Sequence, residues 1–168
     1  MPVQGRKSQV AVLSLSVIAI IFLDQCLKYL VRQNLTVGQS IPVIKNIIHI
    51  TFVSNTGAAF GLFKKAALLF ALISVVAVCF ISTLLVNTIR RGDFFKKPML
   101  NLGLMLILSG AIGNLIDRVL FLYVIDFIDF RIWPVFNIAD SSITIGAFLL
   151  VMSFLSNKPG QIDKRKGV

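Results

Sequence analysis

The chain has 168 residues, of which 57% are hydrophobic and only 14% charged, with formal net charge +10. Its mean hydropathy is +0.88. A soluble domain carries about half apolar and a quarter charged residues, so this composition excludes an ordinary soluble fold and points to a membrane protein.

Four apolar runs are each long enough to cross a bilayer as a helix, which takes about 20 residues. They lie near 9–30, 66–89, 99–118 and 136–156, and charges fall only near their ends. The first run has a basic start, but its apolar part exceeds the 7–15 residues or so of a signal-peptide core. No small-x-small site follows it, and Asp24 and Gln25 before Cys26 do not suit lipid attachment. It is read as a span.

Arg6 and Lys7, Arg90, Arg91, Lys96 and Lys97 between spans two and three, and Lys158, Lys164, Arg165 and Lys166 in the tail hold most of the 17 basic residues. The positive-inside rule then places both termini and the 2–3 turn in the cytoplasm. Lys64, Lys65, Arg32 and Lys45 vote the other way, over a longer connection. No nucleic-acid-binding motif accompanies these charges, so they read as topology signals and membrane anchors. The expected organisation is one membrane-embedded domain over 1–168, with extracytoplasmic connections at 31–65 and 119–135 and a basic cytoplasmic tail at 157–168.

The connections carry their own pattern. Gly38 and Pro42 punctuate the first, and "IIHITFVS" then alternates, with Ile48, Ile50 and Phe52 on one face and His49, Thr51 and Val53 on the other. That is a strand signal. The second is rich in aromatic and β-branched residues, and Trp133 suits an interfacial aromatic belt. A small sheet resting on the outer leaflet is expected. Cys26 and Cys79 stand at depths differing by more than a disulfide's reach of about 7 Å, so they read as packing residues.

The spans have polar faces. On a helical wheel Gly103, Gly110, Asn114 and Asp117 form one narrow stripe, and small and polar residues in lipid face the bundle. Asn137, Asp140, Ser141 and Thr144 group likewise on span four. Asp24 and Lys28 stand four apart with the acid first, the favourable order for a helical ion pair. The plain readings are an ion pair at a helix end for Asp24 and Lys28, a helix tie for Asp117 and Arg118, and an N-cap and first-turn acid for Asn137 and Asp140. Against the last stands cost, since a charged Asp within the bilayer costs about 2.5–3.5 kcal/mol. His49, the single His, has no partner at metal-ligand spacing, and Ser141 and Ser142 have no nearby base unless Lys28 reaches them in space.

The acids near the outer boundary are Asp24, Asp117, Asp126, Asp129 and Asp140, and the chain has no Glu. Two carboxylates in a poorly solvated site split their pKa values, one holding a proton and the other acting as base. The chemistry allows an aspartic hydrolase at the membrane surface. It equally allows a small proton-coupled transporter; a third reading is a non-catalytic anchoring subunit.

Five ordered blocks, "DQCLK" (24–28), "NTGAAF" (55–60), "GAIGNLIDR" (110–118), "VIDF" (124–127) and "FNIADSSITIG" (136–146), are similar to those of the bacterial lipoprotein signal peptidases, or signal peptidase II. One departure is Leu27, where the family usually has Ser or Thr. The resemblance implies an aspartic endopeptidase of the inner membrane with four transmembrane helices and a small β-cradle. Such an enzyme cuts prolipoproteins just before a diacylglyceryl-modified cysteine. It implies Asp126 and Asp140 as catalytic acids. Asn55, Gly57, Asp24, Lys28, Asn114, Arg118, Asn137 and Ala139 take supporting positions, with Asn55 or Asn137 expected to hold substrate backbone. The partners expected are diacylglyceryl prolipoproteins and membrane lipids, with no nucleic acid, no metal, no cofactor and a monomeric chain.

Overall fold

The computed structural model describes residues 3–57 and 63–156. The basic tail and part of the "NTGAAF" block lie outside the described residues. Four helices, α1 (Val3–Asn34), α2 (Phe63–Arg91), α3 (Pro98–Phe121) and α4 (Ile138–Ser156), alternate with three strands, β1 (Ser40–Ile44), β2 (Ile48–Asn55) and β3 (Val124–Asp129). Each helix is long and apolar enough to cross a membrane. With no water in the bilayer core, only a helix satisfies every backbone group within its own segment. Leu15, Phe22, Leu72, Phe80, Phe148 and Phe154 point outward, onto what lipid would cover.

The first three helices run past the apolar runs that announce them. α1 continues to Asn34, and α3 begins on Pro98, whose fixed φ suits a first turn. α3 is capped at its C-terminus by Leu122, which takes φ +65° and donates its N–H to Arg118 O. α4 starts at Ile138 rather than Phe136 because Asn137 caps it.

α3 is the most enclosed helix and packs against the other three. Its small-residue stripe faces α4. A Cβ at Gly103 would stand 2.9 Å from Gly146 O, and one at Gly110 would collide with Ala139 O. The close approach is what brings Asn114 and Asp117, further along the same stripe, to the head of α4. Leu104, Met105 and Leu108 of α3 bury against Val17 of α1 and Ile81, Leu85 and Ile89 of α2.

The sheet is antiparallel in the order β1-β2-β3 and sits at one end of the bundle. Pro42 is tolerated because β1 is an edge strand. The simple face alternation expected of β2 is not what forms. The β2–β3 register shifts between Ile50 and Val53, and Thr51 and Phe52 are both buried. His49 and Thr51 are held inward by polar partners. Thr51 Oγ1 donates to Asp129 Oδ2 at 2.7 Å and lies 2.8 Å from Ser40 Oγ, while His49 Nδ1 lies 2.7 Å from Arg131 Nη2. Phe52 packs with Val31, Leu35, Ile125 and Phe127, which seats the sheet on the end of α1.

Candidate active site

β3 carries Asp126 and the first turn of α4 carries Asp140. Asn137 joins them. Its Nδ2 donates to Asp126 Oδ1 at 2.7 Å, and its Oδ1 accepts the Asp140 backbone N–H at 2.8 Å. This is an N-cap whose amide half is left over to reach the neighbouring strand. Asn55, at the end of β2, donates to Asp126 Oδ2 at 2.8 Å. Asn114, buried on α3, donates to Asp140 Oδ1 at 2.7 Å. Asn55 and Asn137 thus orient Asp126 in this structure.

Asn55 is itself aimed by Gly57. The Gly57 N–H donates to Asn55 Oδ1 at 2.8 Å, which turns the amide nitrogen toward Asp126. Gly57 has φ +71°, and a Cβ there would stand 2.7 Å from the Phe70 ring. Only glycine takes that conformation without strain.

Asp126 is 1% exposed, whereas Asp140 is half-buried. Burial pushes the Asp126 carboxyl up to about 6; the Asn55 hydrogen bond opposes this, and the nearby Asp140 adds to it. Asp140 opens onto a cavity of about 530 Å³ lined also by Trp133, Val135, Phe136, Thr144 and Ile145. The cavity wall is mostly apolar, as for a site taking an apolar ligand.

Behind the acids lies a buried polar cluster. Lys28 Nζ sits 2.8 Å from Asp24 Oδ2, 2.8 Å from Asp117 Oδ2 and 3.1 Å from Asn114 Oδ1. Its three N–H donors are therefore matched by three acceptors. The remaining carboxylate lone pairs take backbone donors: Asp24 Oδ1 accepts from Ala139 N at 2.9 Å, and Asp117 Oδ2 from Ile125 N at 3.0 Å. Removing one member would leave an uncompensated buried charge, typically at a cost of about 3–5 kcal/mol.

Asp24 and Lys28 form the ion pair read from the sequence, and both are 1% exposed, so the pair is buried. Asp117 does tie helices, but to α1 through Lys28. Arg118 likewise ties α3 to α2, donating to Ser74 Oγ at 3.4 Å with its guanidinium 5.8 Å from the Phe70 ring centroid. Among the described residues Lys28 bonds to Asp24, Asp117 and Asn114 and to no serine; Ser141 and Ser142 hydrogen-bond to Asn137 O and Ile138 O. Gln25 was not singled out by its sequence context, yet its Nε2 donates to Asp24 Oδ2, Gly113 O and Asp117 Oδ1 at 3.1–3.2 Å. Its position beside Asp24 in "DQCLK" was the available signal. Asp129 stands apart from the dyad, in the Thr51–Ser40–Arg131 cluster, and the Thr51 hydrogen bond holds its carboxyl below the usual range.

The family model described as Signal peptidase (SPase) II matches residues 16–156 of this chain. The chain belongs to the signal peptidase II family. The Halothermothrix orenii lipoprotein signal peptidase is 48% identical over 136 residues, covering 81% of this chain and 90% of that protein. The Clostridioides difficile lipoprotein signal peptidase is 43% identical over 143 residues, covering 84% and 93%. A bacterial membrane enzyme solved by the in meso method superposes with TM-score 0.79 at 31% identity, covering 89% of this chain and 96% of that one. Four spanning helices with a small antiparallel sheet are thus shared between this signal peptidase II member and a solved membrane enzyme, and the protein is a multi-pass membrane protein.

Proposed function

We propose that the chain is an aspartic endopeptidase that removes the signal peptide from diacylglyceryl-modified prolipoproteins, cutting just before the lipidated cysteine. The observation that carries this is the pairing of Asp126 and Asp140 through Asn137, with Asp140 on the wall of an apolar cavity. Family membership supports the peptidase and its substrate class. Asp126, whose carboxyl burial pushes up to about 6, is assigned as the acid. Asp140, in the first turn of α4 where the helix dipole favours negative charge, is the base.

In this mechanism Asp140 takes a proton from the attacking water while Asp126 donates one to the scissile carbonyl oxygen. The tetrahedral intermediate then collapses, with a proton returned to the departing amine. No acyl-enzyme forms. The substrate's acyl chains stay in the bilayer and position the scissile bond, each buried CH₂ contributing about 0.8 kcal/mol.

The site faces the extracytoplasmic surface of the bacterial inner membrane, with both termini cytoplasmic; the basic charges around Arg90, Arg91, Lys96 and Lys97 support this orientation. A reporter fused at residue 94 should read cytoplasmic and one near residue 40 extracytoplasmic; the reverse would put the acids on the wrong side. The peptidase reading is tested with a purified proprotein in its lipidated and unlipidated forms. Wild type should cut the lipidated form and cut the unlipidated form poorly or not at all. Equal rates in the same detergent would exclude the lipid-dependent mechanism.

A further inference from the structure

The two carboxylates that flank Lys28 share a second feature. Asp117 Oδ2 accepts the backbone N–H of Ile125, the residue immediately before Asp126. Asp24 Oδ1 accepts the backbone N–H of Ala139, the residue immediately before Asp140. Lys28 Nζ bridges the two carboxylates at 2.8 Å each. One ammonium therefore stands at the centre of a path running Ile125 N–H, Asp117, Lys28, Asp24, Ala139 N–H. Its ends are the backbone just ahead of the two acids.

We propose that Asp117 is a positioning residue for the dyad: with Lys28 and Asp24 it forms a clamp on the backbone ahead of each acid, and so sets the spacing between Asp126 and Asp140. The proposal rests on the aspartic peptidase reading and goes beyond it. The clamp and the Asn137 bridge are complementary. Asn137 joins the two elements directly at the site, and the clamp fixes both from behind, through main-chain atoms. All three members are 1% exposed or less, so water does not compete for these bonds. A strand end and a helix start held by main-chain atoms keep the side chains' geometry more tightly than contacts between the side chains alone. Gln25, donating to both Asp24 and Asp117, braces the same pair.

The clamp has a readout that simple structural support lacks. The proton on Asp126 is sensitive to the distance of Asp140; Lys28 is the other charge acting on it, and Arg118 feels both acids. If the spacing loosens, the influence of Asp140 weakens, and the alkaline limb of the activity profile moves to lower pH.

The test is cleavage of a lipidated proprotein by full-length wild type, Asp117→Leu and Asp117→Asn, expressed per mole of folded protein, with pH profiles. Asp117→Leu removes both acceptor oxygens while keeping the same branched heavy-atom skeleton. Its kcat should fall by about 10²-fold, the scale of a small misplacement, with KM little changed and the alkaline limb displaced to lower pH. Asp117→Asn keeps one oxygen for the Ile125 N–H and should recover part of the loss. A folded Asp117→Leu with wild-type kcat and an unshifted profile overturns the clamp. A second measurement needs no variant: hydrogen exchange of wild type in detergent, resolved to single amides. Ile125 and Ala139 should both exchange slowly, and fast exchange at either overturns the clamp whatever the variants do. Failure of the underlying peptidase reading is distinguishable, since it would appear as turnover surviving in Asp126→Asn with both amides still protected.

Discussion

The side chain of Asn137 donates to Asp126 Oδ1 at 2.7 Å, reaching from the cap of α4 onto β3. Its other end caps the helix by accepting the Asp140 N–H. The two jobs separate by mutation. Asn137→Ser keeps a cap and loses the donation to Asp126, whereas Asn137→Ala loses both. Thermal unfolding should place the Ala variant below the Ser variant by about 1 kcal/mol, the worth of an N-cap. Turnover should fall in both to a similar extent. If the Ser variant kept wild-type kcat, the bridge would be a capping device alone.

The raised carboxyl of Asp126 predicts how stability follows pH. Its folded value, about 6, lies above the ordinary aspartate value of 3.8. The folded state therefore binds the proton more tightly than the unfolded chain does. This contribution is fully present below the unfolded value and is lost as pH rises through the folded one. Between about pH 4 and 6 wild type should lose stability relative to Asp126→Asn, by about 1–3 kcal/mol in all. The measurement is the difference in unfolding free energy between the two proteins across that window. A difference that stays constant would show the carboxyl to be unperturbed.

Gly57→Ala should impair the site without touching either acid. The added Cβ meets φ +71° and the Phe70 ring at 2.7 Å. The left-handed conformation costs a non-glycine residue about 1–2 kcal/mol. Relief by turning the peptide would withdraw the N–H from Asn55 and release its grip on Asp126. Adding Phe70→Ala removes the collision but not the backbone strain, so it should restore activity only in part. Full restoration would mean that the collision alone matters.

How much of this was legible in the sequence differs by level. The spans were, because a bilayer demands length and apolarity and little else of a helix. Their ends were not, since Leu122 ends α3 in a left-handed turn and Asn137 opens α4, both local effects beneath an apolar average. The β2 strand was visible in its alternation, but its bulge and the inward turn of His49 and Thr51 depend on Asp129 and Arg131, far off in the chain. Asp24 and Lys28 were readable as a pair because they share one helix. Their union with Asp117 and Asn114 was not, for it needs α1 and α3 side by side. Asp126 and Asp140 stood out among five acids only through the family blocks around them.

Activity should survive excess EDTA. Both oxygens of Asp126 already accept N–H donors, from Asn137 and Asn55, and Asp140 Oδ1 accepts from Asn114. A divalent cation would have to displace those donors and would still lack the roughly six oxygen ligands that a hard cation takes. The assay is proprotein cleavage before and after chelation. Activity lost to EDTA and restored by added metal would replace the two-acid mechanism with a metal-activated water.

If Asp126 and Asp140 act together on the scissile bond as proposed, the rate of signal-peptide release from a lipidated proprotein depends on both. Asp126→Asn and Asp140→Asn should each lower the rate by about 10²–10⁴-fold or more while the proteins remain folded. Asp129→Asn, altered in the Thr51–Arg131 cluster away from the dyad, should keep substantial activity. An essential Asp129 with a dispensable Asp126 would contradict the account.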